Sequence, residues 1–439
     1  MNKLDKFYLP LGLMLFALLF GAGNLIFPAS MGQNAGTNYI WAFLGFCVTG
    51  VGLPLLAIAA MGYSGSKDLL EASGRVHPVY GLIYTFLVYM TIGPGFALPR
   101  TGTVAYEIGI VPFLGGLSGD VVMPAFLVVF FAAAYWFSAT PSKLVHRVGK
   151  ILSPALVIVI ACLVVQSYVN PMGSPLVPTD AYASSLTATC QGLLDGYNTM
   201  DVIACLVFAG LVIEFVKSAG ITEFSKMAGQ VTKAGVVAAV LLAVIYFFIA
   251  KIGADSVNVI GLKDTGAPVL AESAKFLFGS LGAAVLAVIV ILACLTTAIG
   301  LISCCASFFE KLFGKLSYKA YCMVFAVISF LIALFGLKTI IAASIPMLMF
   351  LYPLAVALIL LLFTDKLFGS RQCVYVWTIA LTLIPSAESG LVTASINLGG
   401  LNALFAEHVP LYSLGLGWVC FAVVGYVIGL LWAKFAPAK

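Results

Sequence analysis

Apolar residues run along this chain in long unbroken stretches rather than in alternation. Phe7 to Gly32, Tyr39 to Tyr63 and Leu281 to Phe309 are each long enough to cross a bilayer as a helix, which takes about 20 apolar residues. Continuous runs argue against an outer-membrane barrel, whose strands alternate lipid-facing and lumen-facing positions. Twelve such runs follow one another, near 7–32, 38–63, 80–105, 121–138, 151–169, 185–216, 234–253, 279–310, 320–337, 339–364, 373–390 and 411–434. The pattern predicts an all-α integral membrane protein with twelve spans. Residues 1–32 also have the basic start of a secretory signal, but the apolar run is too long for a signal core and no small-x-small cleavage site closes it.

Composition sharpens this picture. The 439 residues are 62% hydrophobic and 9% charged, against about 25% charged in soluble domains. Lysine and arginine are unevenly shared between the loops. One alternate set of loops and tails holds 17 of them and the other holds four: Lys251, Lys263, Lys275 and Lys338. Basic loops stay in the cytoplasm, so both termini are expected there, in a cytoplasmic (inner) membrane. The net charge of +5 is then an orientation signal in a lipid bilayer and calls for no nucleic acid. The ten cysteines show no metal or redox spacing and read as small apolar packing residues. Between Gly253 and Gly279 an amphipathic stretch, Ala267 to Phe278, is expected to lie over an external pathway mouth as a lid.

Two runs carry residues that a lipid-facing helix avoids. Run one contains Phe20-Gly21-Ala22-Gly23-Asn24 followed by Pro28, and run six contains Asp195-Gly196-Tyr197-Asn198-Thr199-Met200-Asp201. Glycine and proline weaken a helix, and carboxylates are costly in hydrocarbon. Interrupted spans at corresponding places in two halves point to a midplane transport site. Runs one to five and six to ten would then form two five-helix units of opposite orientation, residues 1–169 and 170–364, with two further helices in 365–439. The glycines alone also fit close helix packing. Free amides at Gly21, Ala22 and Gly23, with Asn24 beside them, suit an anionic carboxylate. Carbonyls near Gly196, Tyr197, Asn198 and Thr199 suit an ammonium group.

Run eight carries Thr296 and Thr297, whose hydroxyls are hard ligands for a small cation or partners of their own helix backbone. Arg100 lies inside run three, in Phe96-Ala97-Leu98-Pro99-Arg100-Thr101. An intramembrane arginine faces protein or water and pairs there; Glu107 and Asp201 are its candidate partners. The three are expected to form a gate on the outer side of the site, with Arg100 not itself touching substrate.

At these residues the chain resembles the bacterial branched-chain amino acid:cation symporters. The resemblance rests on Phe20 to Pro28, Gly93-Pro94-Gly95-Phe96-Ala97-Leu98-Pro99-Arg100-Thr101, Gly196 to Asp201 and the run-eight threonines, in the family's order over nearly the whole chain. It implies the 5+5 inverted-repeat (LeuT-like) fold shared with the neurotransmitter:sodium symporters. It implies import of leucine, isoleucine and valine with Na+ or H+ by a carrier that works as a monomer. It also implies a Na+ site built from the carbonyls of Ala17, Phe20 and Ala293 and the hydroxyls of Thr296 and Thr297.

Other classes fit less well. An enzyme would need a nucleophile with its base or a metal cluster, and the sequence offers neither. A proton-pumping respiratory subunit would carry several mid-span lysines or glutamates. A cation channel could use the same glycines and threonines, but paired broken spans suit alternating access better. An H+-coupled carrier of another neutral amino acid is the nearest rival.

Overall fold

The first apolar run folds as two helices. In the computed structural model, which describes residues 8–116, 118–139, 143–218 and 224–435, α1 (Tyr8–Leu19) ends before Phe20-Gly21 and α2 (Ala22–Ala35) begins beyond them. Gly21 caps α2 in an extended conformation, φ −118° and ψ −165°. The interruption is shorter than the glycine pattern suggests, because Ala22, Gly23 and Asn24 form the first turn of α2. Amides in a first turn have no acceptor within their own helix. They stay available without unwinding the backbone.

The second run, α3 (Tyr39–Cys47) and α4 (Leu53–Ser64), is joined by a π-helical turn at Val48–Gly52. A short helix α5 (Leu69–Gly74) lies in the connection that follows, capped by Asp68, whose carboxylate accepts from the Glu71 amide at 2.9 Å. The third run is also broken, which the reading of runs one and six alone misses. Between α6 (Pro78–Met90) and α7 (Ala97–Gly109), a wide turn at Thr91–Gly95 contains Gly93 at φ −85°, ψ −127°. Next come α8 (Gly119–Ala139) and α9 (Lys143–Val169).

Run six divides into α10 (Ser185–Tyr197) and α11 (Asp201–Ser218). Only Asn198 to Met200 lie between them, and Met200 takes the left-handed conformation at φ 64°. That conformation costs a non-glycine residue about 1–2 kcal/mol. Asp195 stays helical because Tyr182 Oη donates to its carboxylate at 2.5 Å and Gln191 Nε2 at 3.1 Å.

The second half continues with α12 (Phe224–Ile260) and α13 (Gly266–Phe313). The expected external lid is the start of α13. It turns at Gly279 (φ 67°) into the eighth run and buries Ala267, Leu270, Ala271 and Ala274. Then follow α14 (Tyr318–Ala333), α15 (Leu337–Thr364), α16 (Gln372–Thr393), α17 (Gly400–His408) and α18 (Trp418–Phe435).

Helices thus occupy every expected run, and no strand occurs among the described residues. Nine described segments are long and apolar enough to cross a membrane. The outer faces of α8, α9 and α12 expose Val129, Trp136, Ile158, Val165 and Val240, as lipid-facing helices do. Inside, α2 packs on α12 almost backbone to backbone: a Cβ at Gly32 would lie 1.9 Å from the Ala250 carbonyl oxygen. Such close approach is how helices associate where lipid offers no hydrophobic driving force. The two C-terminal helices pair with each other, and α16 lies along α15.

Candidate substrate site at the helix breaks

The breaks in runs one and six meet in the interior. Asn24, at the third position of α2, bends its side-chain oxygen back to accept from the Gly21 amide at 2.9 Å. Its Nδ2 donates to Asp201 Oδ2 at 2.6 Å and also contacts Tyr246 Oη. Tyr246, on α12, donates to the same carboxylate oxygen at 3.3 Å. All three side chains are buried. Sequence reasoning missed Tyr246, since one tyrosine in an apolar run carries no local signal. Of the amides expected to be free, that of Gly21 is occupied by Asn24, whereas those of Ala22 and Gly23 lie in the open first turn.

Arg100 stands across from this turn, one turn into α7. It is only 3% exposed. Its Nη1 donates to the Asn198 carbonyl at 2.8 Å, and its guanidinium lies 4.9 Å from the centre of the Phe27 ring. A Cβ at Gly23 would be 2.9 Å from Nη2, so the guanidinium rests on the glycine itself. The break in run three, with the wide turn around Pro94, sets where α7 starts and hence where Arg100 points. Neither expected partner pairs with it: no ion pair links Arg100 to Glu107 or Asp201 among the described residues. Glu107 is seven residues on, about 10 Å along the helix, and does not reach the cluster.

The carbonyls of the run-six break are partly engaged. Thr199 Oγ1 donates to the Gly196 carbonyl at 2.9 Å, the Met200 amide to the Tyr197 carbonyl at 3.0 Å, and Arg100 to that of Asn198. The Gly196 carbonyl also accepts from the Thr199 amide at 3.3 Å, whereas those of Tyr197 and Asn198 each keep a second lone pair. Tyr197 stacks on Tyr352 of α15, with centroids 4.3 Å apart. Gly196 faces the π-helical turn between α3 and α4: a Cβ there would lie 2.0 Å from Thr49 Oγ1.

Of the residues expected around a cation, Thr297 lies where α13 passes the first break. Thr296 and Thr297 donate to the Ala293 carbonyl at 2.9 and 3.0 Å. Thr297 abuts Gly21, its Oγ1 3.4 Å from where a Cβ would be. Phe20 is buried and stacks on Phe16 at 5.0 Å. Ala17 belongs to α1, but its side chain lies outside the described residues.

Broken helices meeting in the interior, with a buried guanidinium and a carboxylate beside them, match a secondary-transporter architecture. Solved transporter structures share it: MhsT in complex with L-phenylalanine superposes with a TM-score of 0.59 at 16% identity, over 96% of this chain and 98% of that one. Mhp1, a nucleobase-cation-symport-1 family transporter, gives 0.60 at 14% identity, over 98% and 92%. The chain belongs to the branched-chain amino acid transport protein family, whose model matches residues 5–436. It is 45% identical to the branched-chain amino acid permease BraB of Bacillus subtilis (strain 168), over 98% of this chain and 96% of that protein. It is 41% identical to the permease BrnQ of the same organism, over 97% and 96%. The relatives are permeases and carriers, and the family is one of transporters rather than enzymes.

Proposed function

We propose that the protein imports leucine, isoleucine and valine across a bacterial cytoplasmic membrane, coupled to Na+ and by alternating access. The observation that carries this reading is the convergence of two helix breaks through the Asn24–Asp201 hydrogen bond. A zwitterion needs donors for its carboxylate and acceptors for its ammonium. The first-turn amides of α2 supply the former and the carbonyls between α10 and α11 the latter. The named activity of the permeases to which the chain is similar supports the branched-chain side chain.

In this reading residues 1–169 and 170–364 are inverted repeats, and 365–439 add two helices to the core. Both termini face the cytoplasm, where 17 of the 22 basic residues would lie. The carrier acts as a monomer. Na+ travels as a co-substrate between α1 and α13, held by the carbonyls of Ala17, Phe20 and Ala293 and the hydroxyls of Thr296 and Thr297. A hydroxyl that donates its proton to Ala293 still has lone pairs for a cation. Asp201 contributes to closing the outer side of the site.

One observation favours a second reading, H+ coupling. Asp201 is a buried carboxylate in the centre of the network, whereas both threonine hydroxyls already have a backbone partner. Counterflow by purified protein in liposomes, with a panel of amino acids and with or without Na+, separates these readings. Uptake of aromatic or basic amino acids alone would reject the substrate assignment. Ion conduction without counterflow would indicate a channel.

A further inference from the structure

We infer that Arg100 receives the substrate carboxylate directly, and that the side-chain oxygen of Asn198 receives the ammonium group. This rests on the reading that the broken helices enclose an amino-acid site. It replaces the outer-gate role suggested for Arg100 by the sequence.

Arg100 is a buried charge without a direct ion pair among the described residues. Arg100 is always protonated and offers five N–H donors in a planar fork. It is 3% exposed, and its contacts are a neutral carbonyl and the face of a phenyl ring. The ion pairs among the described residues all lie elsewhere. Asp201, the nearest opposite charge in the network, has its Oδ2 occupied by Asn24 and Tyr246. A buried guanidinium that feels Asp201 only through space, with no direct ion pair, gains when an anion completes its fork.

The guanidinium is aimed at a place suited to that anion. Nη2 lies against Gly23, in the first turn of α2, where unpaired amides and the positive end of the helix dipole gather. A carboxylate arriving beside Gly23 can accept both from the arginine fork and from the first-turn amides. Phe27, one turn on, braces the guanidinium plane.

Asn198 supplies the second point. Its carbonyl is held by Arg100 at 2.8 Å, while its Oδ1 is buried and has no hydrogen-bond partner. Buried acceptors are normally paired. In an α-amino acid a single carbon separates carboxylate from ammonium, so their two receptors must be neighbours. The Arg100–Asn198 bond makes them so. The pair therefore selects α-amino acids over carboxylic acids or amines bearing the same aliphatic chain.

The test is competition binding to purified full-length protein, using leucine, leucinol (no carboxylate) and 4-methylpentanoate (no ammonium). Arg100→Gln should weaken leucine binding about 10- to 100-fold and leave leucinol almost unchanged. Arg100→Lys should recover part of the loss. Asn198→Ala should weaken leucine but not 4-methylpentanoate. Equal losses for leucine and leucinol in Arg100→Gln would overturn the assignment. A second measurement avoids variants altogether: wild-type protein with guanidinium-15N arginine and leucine labelled with 13C at the carboxylate, examined by dipolar-dephasing solid-state NMR. Dephasing of the bound carboxylate is expected, and its absence at saturation rejects direct contact. If leucine, isoleucine and valine do not bind but another amino acid shows the same dephasing, the substrate reading fails and the Arg100 assignment stands.

Discussion

Asn24 donates to Asp201 at 2.6 Å, joining positions 177 residues apart in sequence and tying the broken first helix to the broken sixth. The same asparagine accepts from Gly21, so it fixes the geometry of its own break while holding the other. A double-mutant cycle of Asn24→Ala and Asp201→Ala should give a coupling energy of about 1–3 kcal/mol, the range for buried hydrogen bonds to a charged group. Thermal unfolding of purified protein measures it. Asn24→Asp keeps the acceptor for Gly21 but sets a carboxylate against Asp201. Leucine uptake should be lost in that variant despite its nearly unchanged shape. Full uptake by Asn24→Asp would show that the bond does not hold the site.

Two glycines of α2 should respond differently to one added methyl group. In Gly32→Ala the new carbon meets the Ala250 backbone carbonyl at 1.9 Å, and neither helix can yield without moving the other. Folding and membrane yield should fall sharply. In Gly23→Ala the new carbon meets the tip of Arg100 at 2.9 Å, and a flexible side chain can swing away. That protein should reach the membrane in normal amount, with uptake reduced at least about tenfold because a charge-assisted contact has been displaced. Immunoblots of membrane fractions beside uptake assays separate the two effects.

The sequence announces the spans because lipid demands long apolar runs, and it announces the breaks at Gly21 and Asn198 because polar and helix-weakening residues stand out against them. The extent of each break is less legible. Ala22 to Asn24 remain helical because first-turn amides are free in any case, and Asp195 remains helical because Tyr182 and Gln191 satisfy it. The third break was signalled by Gly93-Pro94-Gly95, a strong turn signature within an apolar run. The partners of the buried charges are set by tertiary packing. Nothing local to Tyr246 says that it will meet Asp201, and nothing local to Arg100 says that it will choose a carbonyl over Glu107.

A second polar cluster ties α16 to the start of the third run. Arg75 donates to Asp365 at 3.0 Å and to the Ser64 carbonyl at 2.8 Å. Ser370 and Tyr375 donate to the same aspartate at 2.7 and 2.8 Å. Gln372 reaches the Val76 carbonyl at 2.9 Å. Asp365→Ala leaves three buried or partly buried donors without their acceptor, whereas Arg75→Ala removes one partly exposed side chain with its bonds to Asp365 and the Ser64 carbonyl. Thermal stability should fall more in Asp365→Ala, by about 1–3 kcal/mol, than in Arg75→Ala. Leucine affinity should be unchanged in both, since the cluster does not touch the helix breaks. Equal destabilisation would mean that the bonds from Ser370 and Tyr375 contribute no more than the bond from Arg75 to the Ser64 carbonyl.

The coupling ion turns on Thr296 and Thr297. Both hydroxyls donate to the Ala293 carbonyl, and Thr297 lies against the first helix break. Replacement by valine keeps the shape and deletes the oxygen. If the lone pairs hold Na+, each variant loses a ligand in a partly buried site, at a cost of about 1–3 kcal/mol. The Na+ concentration for half-maximal uptake should then rise roughly five- to over a hundredfold. Leucine affinity at saturating Na+ should change much less, because the threonines do not reach Arg100 or Asn198. If the hydroxyls serve only their own helix, the Na+ dependence stays as it was, because a threonine-to-carbonyl bond within a helix adds little. With proton coupling, uptake proceeds without Na+ and follows an inward pH gradient, and Asp201→Asn abolishes that response. Leucine uptake measured against Na+ at fixed pH, then against pH without Na+, distinguishes the three. Full activity without Na+ in the wild type rejects the sodium site and leaves the substrate contacts at Arg100 and Asn198 to be judged by their own experiment.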